Sequence, residues 1–287
     1  MTSHDVVSRV RKLAGTRKVG HAGTLDPMAT GLLVVGLNGA TRLLTYLVGL
    51  DKEYLATIRL GGSTPTDDAD SQVDVVADPK RLAEVTVDAV EDAIRGLTGE
   101  ISQVPSAVSA IKVDGRRSYE RVRAGEEVEL AARTVTISAF DVLAVHRAEF
   151  FDVDVRISCS TGTYVRALAR DLGSGLGVGG HLVALRRTRV GPFGVADAKP
   201  LEDISIERDL AAPADIARAL FPVLELTEQQ SIDLGHGKTV TAGDPGHPAS
   251  TGPIAAIAPD GRLVGLVAIS NGTVSPVINF PPDSEQQ

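Results

Sequence analysis

Residues 151–160, FDVDVRISCS, alternate apolar and polar side chains over their whole length. A period of two sends successive side chains to opposite faces, so this segment predicts a strand with one face buried. From residue 162 the period changes. In GTYVRALARDLGSGLG (162–177), Val165, Leu168, Ala169 and Leu172 fall on one helical face. A half-buried strand running into an amphipathic helix implies a sheet with helices packed on it. The same two periods recur. KEYLATIRLGG (52–62) alternates and ends at a Gly pair, and VDAVEDAIRGLTGE (87–100) presents Val90, Ala93, Ile94 and Leu97 on one face. Val6, Val7, Val10 and Leu13 repeat at helical spacing between a cap at Thr2 or Ser3 and a stop at Gly15. ATRLLTYLVG (40–49) reads as a helix and GLLVVGL (31–37) as one short buried strand.

Other segments read as connections or as a separate domain. TPTDDADSQVD (64–74) is an acidic loop without the Gly and the closing Glu of a calcium loop. Residues 104–133 mix Pro, Gly and five Lys/Arg between Lys112 and Arg123, and read as a mobile basic arm. Near residue 220 the composition shifts and basic residues become scarce. Residues 252–280 read as three short strands with turns at Pro259-Asp260-Gly261 and Asn271-Gly272. The expected organisation is a larger domain over 1–221 and a small β-rich domain over 222–287, too short for a sheet with crossover helices.

The chain has 287 residues, 43% of them hydrophobic and 23% charged, enough for a substantial core. No apolar run reaches the ~18 uncharged residues a membrane helix needs. The opening MTSHDVVSRVRKLAG lacks the apolar centre of a secretory signal. Cys159 is the single cysteine and no Cys/His set has zinc spacing, so no disulfide and no metal are expected. These features predict a soluble, cytoplasmic protein. The net charge of −8 argues against a polyanionic partner, but the charge is uneven. Residues 1–50 carry six Lys/Arg against two Asp/Glu, and residues 151–200 carry seven against four. Residues 51–100 carry five against twelve, and residues 201–287 four against twelve. Two basic segments separated by an acidic one are compatible with RNA binding without establishing it.

The Gly-rich stretch KVGHAGTLDPMATGLLVVG (18–36) places one carboxylate, Asp26, directly before a proline. A Walker loop would end in Gly-Lys-Ser/Thr, and a dinucleotide loop would follow a strand; neither pattern is present. An aspartyl-phosphate hydrolase would show a second Asp, which LDPMA lacks. An isolated Asp-Pro is usually a turn starter. Here it lies within GHAGTLDPMATGLLVVGLNGATRLL, which closely resembles the signature of TruB-type tRNA pseudouridine synthases. KEYLATIRLG with TDDADSQ resembles the family's second block, and QVPSAVSAIKVDGRRSYERVRAGEEVE its third. CSTGTYVRALARDLGSGLGVGGHLVALRRTRVGPF resembles its fourth. The similarity spans roughly residues 1–200 in family order, and residues 222–287 resemble the family's PUA-like C-terminal domain weakly. The family's opening strand and Lys-Pro-x-Gly turn are not seen before Met1-Thr2-Ser3-His4.

The resemblance implies an α+β fold, a mixed, largely antiparallel sheet flanked by helices, and isomerisation of the uridine at position 55, in the TΨC loop of tRNA, without any cofactor. It implies that Asp26 is the nucleophile, that Arg166 pairs with it and keeps it ionised, and that Tyr164 relays a proton beside the reacting nucleotide. Tyr54 is implied to lie against the target base, Leu185 to line the pocket near the uracil, and His21 to fill the gap left by a flipped base. Lys112, Arg116, Arg117, Arg186, Arg187 and Arg189 are candidates for neutralising phosphates. Gly20, Gly23 and Gly31 would let the loop approach RNA closely. The expected partner is tRNA, with no membrane, no obligatory protein partner and a monomeric state. Two alternatives share the scaffold: a non-catalytic RNA-binding or tRNA-folding protein, and a relative guided by a separate RNA within a multi-protein particle.

Overall fold

A computed structural model describes residues 1–108, 130–242 and 252–280, together with 112–113, 116–117 and 121. The chain divides into two compact units that are not sequential. One comprises Leu25–Leu32 and Gly49–Ala198; the other comprises Met1–Thr24, Leu33–Val48 and Lys199–Gln287.

The first unit is built on a seven-stranded sheet. Its strands in chain order are β1 (Thr30–Gly31), β2 (Lys52–Leu60), β3 (Gly99–Gln103), β4 (Arg133–Arg147), β5 (Phe151–Cys159), β6 (Gly180–Val190) and β7 (Phe193–Gly194). The spatial order is β7-β6-β2-β5-β4-β3, antiparallel throughout, and β1 joins β6 as a short parallel partner. β5 alternates as expected: Phe151, Val153, Val155, Ile157 and Cys159 are all buried. They meet Val90 and Ile94 of the helix Val87–Gly96 and Val165, Leu168, Ala169 and Leu172 of the helix Val165–Gly175, here α1 and α2. α2 lies very close to β6. A Cβ at Gly173 would fall 2.1 Å from Gly180 N, so the helix end can dock only without a side chain there. Mixed helices and a mostly antiparallel sheet make this an α+β fold, as the family resemblance implies.

The second unit begins with a helix over Ser3–Ala14. Its ends carry the expected chemistry. Thr2 and Asp5 form a reciprocal capping box, and Gly15 closes the helix at φ 62°. Its buried Val7 and Val10 pack on Val19. The C-terminal segment forms a five-stranded sheet, not three strands alone. Ile254–Ile257, Leu263–Ser270 and Thr273–Asn279 are joined by Val240–Thr241 on one edge and, in parallel, by Val223–Glu225 on the other. The helix Glu228–Gly235 follows Val223–Glu225, so the expectation of a sheet without crossover helices is corrected. The added strands are two and three residues long, too short to show a period in sequence. Asn271 and Gly272 both adopt positive φ, as their two-residue turn requires. Leu43 is buried with Ala214, Ala217, Ile257, Leu266 and Phe280, so residues from both ends of the chain share one apolar cluster.

The single strand expected over 31–37 is also corrected. β1 ends at Gly31, and a separate strand, Val35–Leu37, pairs with Val19–His21 in the other unit. Gly31 at φ 97° interrupts the extended run. The basic arm expected over 104–133 falls largely outside the described residues. Among the described residues, no helix is long and apolar enough to cross a membrane.

Candidate active site

The loop Leu25–Leu32 is closed by a turn of its own and anchored to the main sheet at two points. Asp26 opens a turn in which the Ala29 N–H donates to the Asp26 carbonyl at 3.0 Å. Met28 and Ala29 pack on the main apolar cluster. Thr30–Gly31 then pairs with Arg186–Arg187 of β6. A Cβ at Gly31 would lie 2.2 Å from the Arg187 carbonyl oxygen, so this glycine is required by contact within the protein. The close approach of loop to RNA is not needed to explain it.

Arg166 sits in the first turn of α2, is 5% exposed, and donates four hydrogen bonds from its guanidinium. Nε and Nη2 donate to Asp26 Oδ2 and Oδ1 at 3.1 and 2.9 Å, a bidentate pair. Nη1 donates to the Thr66 carbonyl at 2.9 Å and lies 3.3 Å from Asp68 Oδ2. Nη2 also donates to the Val108 carbonyl at 3.0 Å. Arg166 is therefore held between two carboxylates and two main-chain oxygens. Its position is set from every side before any ligand arrives. Asp26 differs: its side chain keeps 30% exposure, so the carboxylate is reachable while its partner is not.

The acidic loop supplies the second carboxylate. Asp68 is buried, accepts from Thr66 Oγ1 at 2.5 Å and from the Asp70 N–H at 3.1 Å, and pairs as a single bridge with Leu182. Asp67 beside it stands at φ 59°, and its carboxylate meets Arg170 Nη1 at 3.2 Å. Burial pushes the Asp67 carboxyl up, partly offset by the charges of Arg170 and Arg166. Sequence patterning places Asp68 only in an acidic loop; the signal available was a pair of adjacent acids with no local base.

Tyr164 occupies the N-cap position of α2, two residues before Arg166. Its main chain is bonded to the side chain of Gln103, and the Arg133 guanidinium lies 4.8 Å from its ring centroid. Tyr54 lies opposite Arg187 in the β2–β6 register. Burial pushes the Tyr54 phenol up; a hydrogen bond with Arg187 opposes this, and the charge of Asp26 adds to it. Leu185, opposite Ala56, is buried in the main cluster that also receives Met28.

Arg187 itself requires a correction. Its side chain is among the most deeply buried in the protein, and its Nε donates to the Leu32 carbonyl at 2.8 Å. It braces the end of the Asp26 loop and cannot meet a phosphate. Adjacent residues of a strand face opposite sides, so of the Arg186-Arg187 pair only Arg186 is exposed. Arg189 is engaged with Asp51 at 2.8 Å. His21 belongs to the other compact unit, where its ring makes an edge contact with His4 at 6.0 Å between centroids. Lys112 and Arg116–Arg117 contribute main-chain pairs to a two-residue ladder, but their side chains fall outside the described residues.

Residues 11–165 match the N-terminal domain of the TruB family of pseudouridylate synthases. Residues 166–225 match the tRNA pseudouridylate synthase B C-terminal domain, and residues 221–281 match the C-terminal region of tRNA pseudouridine synthase II. The chain is 57% identical to the tRNA pseudouridine synthase B of Leifsonia xyli, covering 98% of this chain and 93% of that protein. It is 51% identical to the protein of the same name from Thermobifida fusca, covering 97% and 94%. Among solved structures, a chain of a Cbf5-Nop10-Gar1 complex superposes with a TM-score of 0.70 at 25% identity, covering 99% of this chain and 83% of that one. A chain from an H/ACA RNP bound to a substrate RNA containing 2'-deoxyuridine superposes with a TM-score of 0.68 at 25% identity, covering 98% and 82%. With matches to each successive region and more than half of its residues shared with full-length relatives, this chain belongs to the TruB family of pseudouridylate synthases.

Proposed function

We propose that this protein converts a uridine of tRNA, at position 55 in the TΨC loop, to pseudouridine, with Asp26 as the nucleophile. The observation that carries the reading is the bidentate Asp26–Arg166 pair, in which the cation is buried and the carboxylate remains accessible. A protein that only bound or folded RNA would have no use for a reachable carboxylate held so tightly from behind.

The reaction breaks the bond between C1′ and N1, turns the uracil, and joins C5 to C1′. The hydrogen on C5 leaves, N1 gains one, and nothing is added or oxidised overall. A carboxylate suits this cycle because it can attack the sugar or the base and leave again. Arg166 fixes both oxygens of Asp26, and the tied main-chain contacts of Arg166 keep that geometry through the cycle. Tyr164, at the start of the same helix, is the proton relay. Tyr54 lies against the target base, and Leu185 gives the pocket an apolar wall. A base inside a folded loop must be extruded to reach Asp26, and His21 fills the space it leaves. Lys112, Arg116, Arg117 and the exposed Arg186 neutralise phosphates. Residues 222–287 form a PUA-like RNA-binding domain following a catalytic domain over 1–221. The protein works in the cytoplasm as a monomer and needs no protein partner.

The test is incubation of the protein alone with an unmodified tRNA transcript, followed by base-specific chemical detection of pseudouridine. Conversion confined to position 55 is expected. Asp26→Asn should abolish it while tRNA affinity stays within about fivefold, because shape and hydrogen-bonding groups are kept. Turnover by this variant near the parent rate would exclude Asp26 as the nucleophile.

A further inference from the structure

Gln103 is a fully buried polar side chain at the last position of β3. A buried amide is costly unless its groups are paired. Among the described residues, both hydrogen bonds of its side chain go to one residue. The Tyr164 N–H donates to Gln103 Oε1 at 2.9 Å, and Gln103 Nε2 donates to the Tyr164 carbonyl at 3.1 Å. The side-chain amide thus acts as the edge of a strand would, holding the Tyr164 main chain by its donor and its acceptor together.

Tyr164 is a residue that needs such support. It stands at the N-cap of α2, where Ser, Thr, Asp or Asn would bond the first-turn N–H groups through the side chain. The Tyr164 side chain makes no capping bond. Its phenol is therefore not committed to the helix end, and its backbone takes its restraint from Gln103. The register adds a second contact. Arg133 of β4 is the cross-strand partner of Gln103, and its guanidinium faces the Tyr164 ring. One cross-strand pair at the sheet edge meets Tyr164 at both main chain and ring. The chain beyond Gln103 continues to Val104 and Val108, whose carbonyls accept from Arg170 and Arg166.

We propose that Gln103 is a positioning residue for the phenol of Tyr164, fixing its main chain so that the hydroxyl meets the reacting nucleotide at one place. This rests on the relay role given to Tyr164 above. A residue that merely stabilises the helix end would lower the melting temperature without selecting the chemical step. A positioning residue acts on the rate at saturating substrate, and only while the hydroxyl it positions is present.

A double-mutant cycle separates the two. Single-turnover rates are measured on the full-length protein with saturating unmodified tRNA transcript. Gln103→Met keeps the volume and removes both bonds; it should slow the chemical step about tenfold and change the tRNA dissociation constant less than about twofold. In a Tyr164→Phe background the same change should cost no more than about twofold, because its target is gone. Equal factors in the two backgrounds, or a parent rate in Gln103→Met, overturn the proposal. Gln103→Glu keeps the acceptor for the Tyr164 N–H, and circular dichroism follows folding in each variant. If Gln103→Met does not fold, the cycle with Gln103→Glu decides by the same criterion. A wild-type chain that forms no pseudouridine sinks the functional reading and this proposal with it. An active wild type with equal factors sinks this proposal alone.

Discussion

Gly31 and Arg187 approach so closely that a single methyl on Gly31 would lie 2.2 Å from the Arg187 carbonyl oxygen. The contact is backbone on backbone, at a φ of 97° that side chains rarely adopt. Gly31→Ala should therefore cost about 3 kcal/mol, combining positive-φ strain with displacement of the loop. Because Asp26 lies on the same loop, turnover should fall with stability. Urea unfolding and single-turnover rates on the folded fraction check both; an alanine variant as stable as the parent would contradict the pairing of β1 with β6.

Arg166 spans two carboxylates, and its replacement should separate charge from geometry. Arg166→Met leaves Asp68 buried without its cation, which should destabilise the protein by about 3–5 kcal/mol. Arg166→Lys keeps the charge but offers one nitrogen where the guanidinium offers three. It cannot grip both oxygens of Asp26 and also reach the Thr66 and Val108 carbonyls. The lysine variant should fold and lose about a hundredfold in the chemical step. Parent-like turnover in Arg166→Lys would show that charge alone suffices.

The two neighbouring arginines of β6 should behave oppositely. Arg186→Ala removes an exposed cation and should lower the slope of log affinity against log salt by about 0.7–0.9. Arg187→Ala should leave that slope unchanged and lower the melting temperature, since it opens the brace behind Leu32. Filter binding across a salt series and thermal unfolding distinguish them. A changed slope in Arg187→Ala would place that side chain on the RNA.

Cys159 ends β5 and is 2% exposed, and burial pushes its thiol up to about 11 from an ordinary value near 9. The folded state keeps this proton where the unfolded chain has released it. Its contribution to stability is therefore full below pH 9 and declines as pH rises towards 11. At pH 8, iodoacetamide should label native protein slowly and urea-unfolded protein fast, as read by mass spectrometry. Equal rates would show that this strand end opens freely.

The elements legible in sequence were those with uninterrupted periods or chemically marked ends. Ser3–Ala14 carried its caps, and β5 alternated along its length. β4 and β6 were harder to see because register shifts break their alternation, between Ile137 and Ala139 in β4 and between Leu182 and Ala184 in β6. The pairing of Asp26 with Arg166, expected from the family resemblance, is present in the structure. What surrounds it was not visible. Thr66 and Val108 act through carbonyls, which every residue has. Asp68 and Gln103 are polar residues in segments that resemble solvated loops or edges, and only the fold turns them inward. Arg187 follows a related rule: a basic pair in sequence becomes one outer and one inner residue once the chain is pleated.

The cluster formed by Leu43 with Ala214, Ala217 and Phe280 bears on how the chain is made. Residues 49–198 form most of one unit in a single run, so that sheet can assemble as it leaves the ribosome. Leu43, translated before it, finds the last of its partners only when Phe280 has emerged. Val35–Leu37 can pair early with Val19–His21, but Leu43 must wait for its partners through nearly the whole of synthesis, and the closing of this cluster should be among the slowest steps of folding.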